Sequence, residues 1–262
     1  MARPWLKAIP VAVAIAVVAV GAALGFGGAE APVAPESVTV SARAPQAPSV
    51  AGTWELAKPT APTSYAVADA AGPVVHLYGS PDVPLAAKPS LDNPTWEGLP
   101  VVFLVLEDKG PWLHVRVSSR PNNLTAWVSR AEVRLRTVPN RVLIEVGVRR
   151  VTVFHGDQVI MQDSVAVGTD RTPTPLGNFF VDGAVKVPYD TGPYGAYQVS
   201  VSGFSDVLQS FGGGVGQIAM HGTNRPDLIG QNVSNGCIRM TNDNITKMVQ
   251  LAPLGTPVDV VA

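Results

Sequence analysis

The sequence predicts a mainly β chain with one helix near its C-terminal end. Short runs rich in Val, Ile, Phe and Trp alternate apolar with polar residues, and 25 Gly and 24 Pro punctuate them. Only the segment from Asn242 to Ala252 carries an apolar stripe at helical spacing. At 262 residues there is room for one or two domains and ancillary segments. A formal net charge of −1 offers no electrostatic footprint for nucleic acid.

The first element is apolar. Residues Ile9 to Gly28 hold no charge and follow Arg3 and Lys7. About 20 such residues at about 1.5 Å each cross a bilayer, and the preceding basic residues favour a cytoplasmic N-terminus. Residues 1–28 are therefore expected to be a signal peptide or membrane anchor. Ala29-Glu30-Ala31 has the small-x-small pattern of a cleavage site, but Pro32 follows it, which favours an uncleaved anchor. No cysteine lies near the end of the run to take a lipid. Residues 29–71, dense in Pro and Ala, read as an extended linker, with plain disorder as the alternative.

Residues 72–137 read as a small β domain. Val74 to Tyr78, Leu99 to Leu106, Trp112 to Val117 and Ala126 to Val128 are expected strands, separated by turn clusters at Gly79-Ser80-Pro81 and Pro121-Asn122-Asn123. The G-P-W-L-H-V and A-W-V pieces resemble bacterial SH3-like barrels. That resemblance implies a module that binds wall peptide or positions its neighbour; the alternative is a packing spacer.

From residue 138 onward the strand pattern resumes over Val142 to Gly168, with His155-Gly156-Asp157 as a hairpin turn. Thr172-Pro173-Thr174-Pro175 is held extended by its prolines, and the Tyr189 to Tyr197 run is a loop with three tyrosines that either line a substrate groove or cover the sheet. Phe211 to Gly216 is glycine-rich but lacks the G-K-[ST] ending of a phosphate loop. In the helix Asn242 is the expected cap, Ile245, Met248, Val249 and Ala252 share a face, and Gly255 is the expected stop. Thr256 to Val261 closes the chain as a strand.

The chemistry concentrates between Ile218 and Met240. Cys237 is the only cysteine, sixteen positions after His221. A thiol beside an imidazole is a nucleophile with its base, and an imidazolium partner would lower the thiol pKa. Gly236 permits a tight turn that can aim the N–H groups of Asn235, Gly236 and Cys237 at one oxyanion. Ser234 can tie that turn down. If Cys237 to Met240 is extended, Cys237 and Arg239 share one face and Ile238 and Met240 the other, so a guanidinium stands beside the thiol. Arg239, Ser234 and Thr223 are the candidate substrate-binding residues, with a structural ion pair as the alternative role for Arg239. One cysteine with His76, His114, His155 and His221 scattered along the chain gives no metal-ligand spacing, and no cofactor motif is present.

His221-Gly222 followed by Ser234-Asn235-Gly236-Cys237-Ile238-Arg239-Met240 closely resembles the catalytic domain of L,D-transpeptidases, the YkuD family, and T-P-T-P-L-G-N-F matches a second signature of it. Many members have histidine where this chain has Asn235. The resemblance implies a β-sandwich over residues 138–262 with one helix after the catalytic motif. It also implies Cys237 as nucleophile, His221 as base, and the Gly222 carbonyl as the group that orients it. The implied reaction cross-links peptidoglycan stem peptides, a donor tetrapeptide and an acceptor amine, with carbapenem-type inhibitors acylating the same thiol in an extracytoplasmic envelope enzyme. A hydrolase such as an L,D-carboxypeptidase at the same site, and a catalytically silent wall-binding module, are the alternatives.

Overall fold

The computed structural model describes residues 61–262, so the expected membrane segment 1–28 and most of the linker lie outside the described residues. No helix among the described residues is long and apolar enough to cross a membrane.

The first lobe contains β1 (Tyr65–Ala70), β2 (Val74–His76), β3 (Tyr78–Ser80), β4 (Val83–Pro84) and β5 (Ser90–Asp92). It continues with β6 (Val102–Lys109), β7 (Trp112–Arg116), β8 (Thr125–Ser129) and β9 (Val133–Val138). One seven-stranded antiparallel sheet runs β4-β3-β8-β7-β6-β1-β9, and β2 pairs with β5 as a separate ribbon. β7 shows the expected alternation, with Leu113 and Val115 fully buried and Trp112, His114 and Arg116 half-buried. β1 falls inside the stretch read as linker, yet it lies between β6 and β9 and pairs with both. Its Tyr-Ala-Val-Ala-Asp-Ala sequence is half alanine and carries little β propensity, so its two neighbours rather than its own residues make it a strand.

The second lobe contains β10 (Arg141–Glu145), β11 (Arg150–His155), β12 (Gln158–Ser164), β13 (Val167–Gly168) and β14 (Gly177–Lys186). After these come β15 (Tyr197–Phe204), β16 (Gln217–His221), β17 (Asn232–Ser234), β18 (Ile238–Arg239), α1 (Asn242–Leu251) and β19 (Pro257–Val261). Eight strands follow the order β12-β11-β10-β19-β14-β15-β16-β18, and β13 pairs with β17. β14 is the corner. Its first half, Gly177 to Phe180, pairs with β19, and its second half, from Val181, pairs with β15 across a register shift. The two halves of the sheet thereby share one core, in which Val142, Ile144, Val151 and Val153 meet Val199, Val201, Ile218, Met220 and Ile238.

Ile245 and Met248 of α1 seal that core. The helix cap is not Asn242 but Thr241, whose hydroxyl accepts from Asn244 N–H at 3.3 Å. Nor is Gly255 the helix stop, since α1 ends at Leu251 and Gly255 lies beyond it with φ +89°. A side chain there would strike Val67 of the first lobe at 2.4 Å, so Gly255 serves a close approach between the lobes. Val67, Val102, Leu104 and Val138 pack with Phe180 at that contact.

Candidate active site

Two adjacent parallel strands bring the thiol and the imidazole together. β16 pairs with β18 in the register Met220↔Ile238 and His221↔Arg239, which places Cys237 just before the strand and beside Ala219. Ile238 and Met240 are fully buried, while Cys237 and Arg239 line a cavity of about 260 Å³ together with His221, Tyr194, Ser234 and Asn235. The extended C-I-R-M reading therefore holds.

The cysteine turn is braced from below. Gly236 has φ +114°, a conformation that L side chains rarely adopt. Ser234 Oγ donates to Cys237 O at 2.5 Å and accepts from Gly236 N–H at 3.1 Å. Ser234 is 2% exposed, so its hydroxyl is occupied in holding the turn and is not available to a substrate. The same bond removes Gly236 N–H from the expected oxyanion set. Among the described residues, Asn235 N–H and Cys237 N–H have no protein acceptor, and these two remain for an oxyanion.

Thr172 and Thr174 support the site, a role that sequence reasoning passed over although their T-P-T-P motif was visible. Thr174 Oγ1 donates to Gly236 O at 2.9 Å and accepts from Gly168 N–H at 2.9 Å. Thr172 Oγ1 donates to Ser234 O at 3.2 Å. The motif is a brace for the turn that carries Cys237.

His221 is 4% exposed, and its Nδ1–H donates to Gly222 O at 2.6 Å, as the family resemblance implied. That bond leaves Nε2 as the unprotonated, accepting nitrogen. Tyr194 packs edge-on to the imidazole with centroids 5.1 Å apart. Of the three loop tyrosines only Tyr194 lines the cavity; Tyr189 is 78% exposed. Burial lowers the His221 pKa to about 4, opposed by the Gly222 hydrogen bond and reinforced by the Arg239 charge. Burial also raises the Cys237 thiol pKa, against the lowering effects of Ala219 N–H and Arg239. The expected imidazolium–thiolate pair is thereby corrected. Both shifts favour neutral thiol and neutral imidazole at rest, because removing either ion from water costs more than their surroundings return. A neutral His221 still presents Nε2 as a proton acceptor.

Arg239 Nε is buried without a hydrogen-bond partner, so the guanidinium beside the thiol has unused donor capacity. Thr223, by contrast, does not line the cavity. It is 4% exposed, its hydroxyl accepts from Arg225 N–H at 3.0 Å, and its N–H donates to Asn242 Oδ1 at 3.2 Å. Asn242 Oδ1 also accepts from Ala196 N–H at 3.2 Å, and its Nδ2 donates to Asp190 O at 3.1 Å. Freed from capping, Asn242 instead fixes the loop that carries Tyr194 to the segment following His221.

Volume alone would select the wrong site. The larger of two cavities, about 510 Å³, lies between the lobes among Trp96, Glu97, Arg120 and Asp182 and contains neither Cys237 nor His221. At its floor Asp182 accepts from Ser118, Ser200 and Gln217, and burial raises its carboxyl above the usual range despite those bonds. No group of His, Cys, Asp and Glu among the described residues is arranged to hold a metal ion.

A family profile for the L,D-transpeptidase catalytic domain, YkuD, matches residues 139–260. The chain is 34% identical over 124 residues to YkuD of Bacillus subtilis (strain 168), a protein named as an L,D-transpeptidase, across 47% of this chain and 67% of that one. It is 34% identical over 105 residues to YqjB of the same organism, across 36% of this chain and 56% of that one. The solved structure of Bdellovibrio bacteriovorus Bd1075 aligns at 24% identity over 47% of each chain with a TM-score of 0.37.

Proposed function

The chain belongs to the YkuD family of L,D-transpeptidase catalytic domains, and on that premise we propose that it is an exported cysteine acyltransferase acting on peptidoglycan stem peptides. One observation carries the reading: Cys237, His221 and the partly unpartnered guanidinium of Arg239 line a single cavity.

In the proposed reaction Cys237 Sγ attacks the carbonyl carbon of the third stem residue while His221 Nε2 takes the thiol proton. The oxyanion is met by Cys237 N–H and Asn235 N–H. Collapse breaks the amide bond, and His221 returns the proton to the departing D-alanine amine, leaving a thioester on Cys237. The side-chain amine of an acceptor stem then attacks the thioester, gives its proton to His221, and Cys237 leaves and regains that proton. Arg239 holds a carboxylate or carbonyl of the donor. A neutral resting His221 suits this course, since it must accept a proton in each half-reaction.

The strained lactam of a carbapenem would enter the same attack and leave an ester-like adduct on Cys237. The apolar run Ile9 to Gly28 supports a membrane-held, extracytoplasmic location, and the first lobe fits an SH3-like role beside the catalytic lobe.

Incubation of the purified chain with a disaccharide-tetrapeptide, read by product mass, tests the proposal. The expected product is a cross-linked dimer lacking one D-alanine. Release of D-alanine without dimer replaces transfer by hydrolysis, and the absence of both overturns the acyl-enzyme reading.

A further inference from the structure

Residues 205–216, between β15 and β16, form one wall of the catalytic cavity through Ser205, Leu208, Phe211 and Gly216. The segment is thinly held by itself. Ser205 N–H donates to Gly216 O at 2.8 Å at its base, and Phe211 and Gly214 exchange bonds of 3.1 and 3.0 Å at its tip. Val207, Phe211 and Val215 are each about half exposed, so little apolar burial fixes it.

Ser205 Oγ also accepts from Val207 N–H at 3.3 Å and from Leu208 N–H at 3.0 Å, and the segment's side-chain fastenings to other parts of the fold come from the turn between β7 and β8 of the first lobe. Arg120 Nη1 donates to Ser205 O at 2.8 Å, and Nη2 donates to Leu208 O and Val215 O, both at 3.1 Å. The same guanidinium lies 5.2 Å from the centroid of the Phe204 ring. Two residues on, Asn122 accepts from Phe204 N–H at 2.8 Å and donates to Phe204 O at 2.8 Å. Asn122 also donates to Asp206 Oδ1 at 3.1 Å.

We propose that the first lobe shapes the catalytic cavity through Arg120, a positioning residue that clamps the 205–216 wall, and does not act only as a spacer. A planar cation with several fixed donors can tie carbonyls on the entering limb, Ser205 and Leu208, to one on the leaving limb, Val215. A lysine would offer one point charge. The apolar contact between the lobes sits elsewhere, around Phe180, so these polar bonds to the wall are not a by-product of lobe packing. The ligand-contacting wall of the second lobe is therefore set by a residue outside it, and the lobes act as one binding unit.

The test compares wild type, Arg120→Ala and Arg120→Lys in the full chain by hydrogen exchange and by carbapenem acylation of Cys237 followed by intact mass. In Arg120→Ala, exchange in residues 205–216 should rise about tenfold or more, with β10, β11 and β19 unchanged. The drug concentration giving half-maximal acylation should rise about tenfold, with the limiting rate held within about twofold. Arg120→Lys should fall between. Unchanged exchange and half-saturation overturn the proposal, as does exchange that rises alike throughout the second lobe, or a fall in limiting rate alone. If Arg120→Ala does not fold, Arg120→Gln is read in the same way. If wild type takes no drug, the proposed reaction fails but exchange still decides this proposal.

Discussion

Replacing His221 with Gln should remove a specific acid lability from the fold. The imidazole is neutral and buried, with its pKa lowered from 6.5 to about 4 chiefly by desolvation. Between those values the unfolded chain binds a proton that the folded chain refuses, so stability rises with pH across the window. The contribution is fully present above about pH 6.5 and is lost as pH falls to the folded-state value. A separation of about 2.5 pH units, at about 1.4 kcal/mol each, makes the full loss about 3.5 kcal/mol, of which about 3 kcal/mol is gone by about pH 4. Urea unfolding of wild type and His221→Gln at about pH 7 and about pH 4 measures it. Carboxylates titrate in both proteins and cancel in the comparison. Wild type should lose about 3 kcal/mol more than the variant on acidification. An equal loss in both would mean that His221 is solvated or already charged, and the neutral resting base would be refuted.

The thiol gives a companion result: alkylation of Cys237 by a small neutral reagent should rise at a higher pH than for a free thiol, because burial raises its pKa, and a limb below the free value would restore the thiolate pair. Cys237→Ala should abolish acylation while changing stability by less than about 1 kcal/mol, and Cys237→Ser should be nearly as inactive; an adduct by intact mass in either would point to another nucleophile. Thr174→Val should cost about 2–4 kcal/mol, because Gly168 N–H and Gly236 O both lose their partner, and a neutral result by chemical denaturation would remove the brace role. Asn242→Ala should weaken substrate binding by freeing Ala196 N–H and Thr223 N–H, yet leave the helical circular dichroism unchanged, since Thr241 is the cap; loss of the helix signal would contradict that assignment.

The sequence by itself determined which thiol and which imidazole would share a cavity, the strand after the cysteine and the helix behind it. These follow from residue chemistry and short-range periodicity, which need no knowledge of what lies across the fold. Gly222 as the orienting carbonyl came with the family resemblance, and the imidazole contact matches it. Tertiary structure decided where each polar group is spent. Ser234, Gly236 N–H and Thr223 sit in the right segments, but partners up to 19 residues away consume them, and hydrogen-bond satisfaction of buried groups is a property of the whole packing. The direction of the Cys237 and His221 shifts was equally illegible, because pairing promotes the ions while burial opposes them and only the fold says which is larger. β1 became a strand through neighbours at residues 102–104 and 133–138. Arg120 reached the catalytic wall across more than 80 residues of chain, a distance over which local sequence carries no signal.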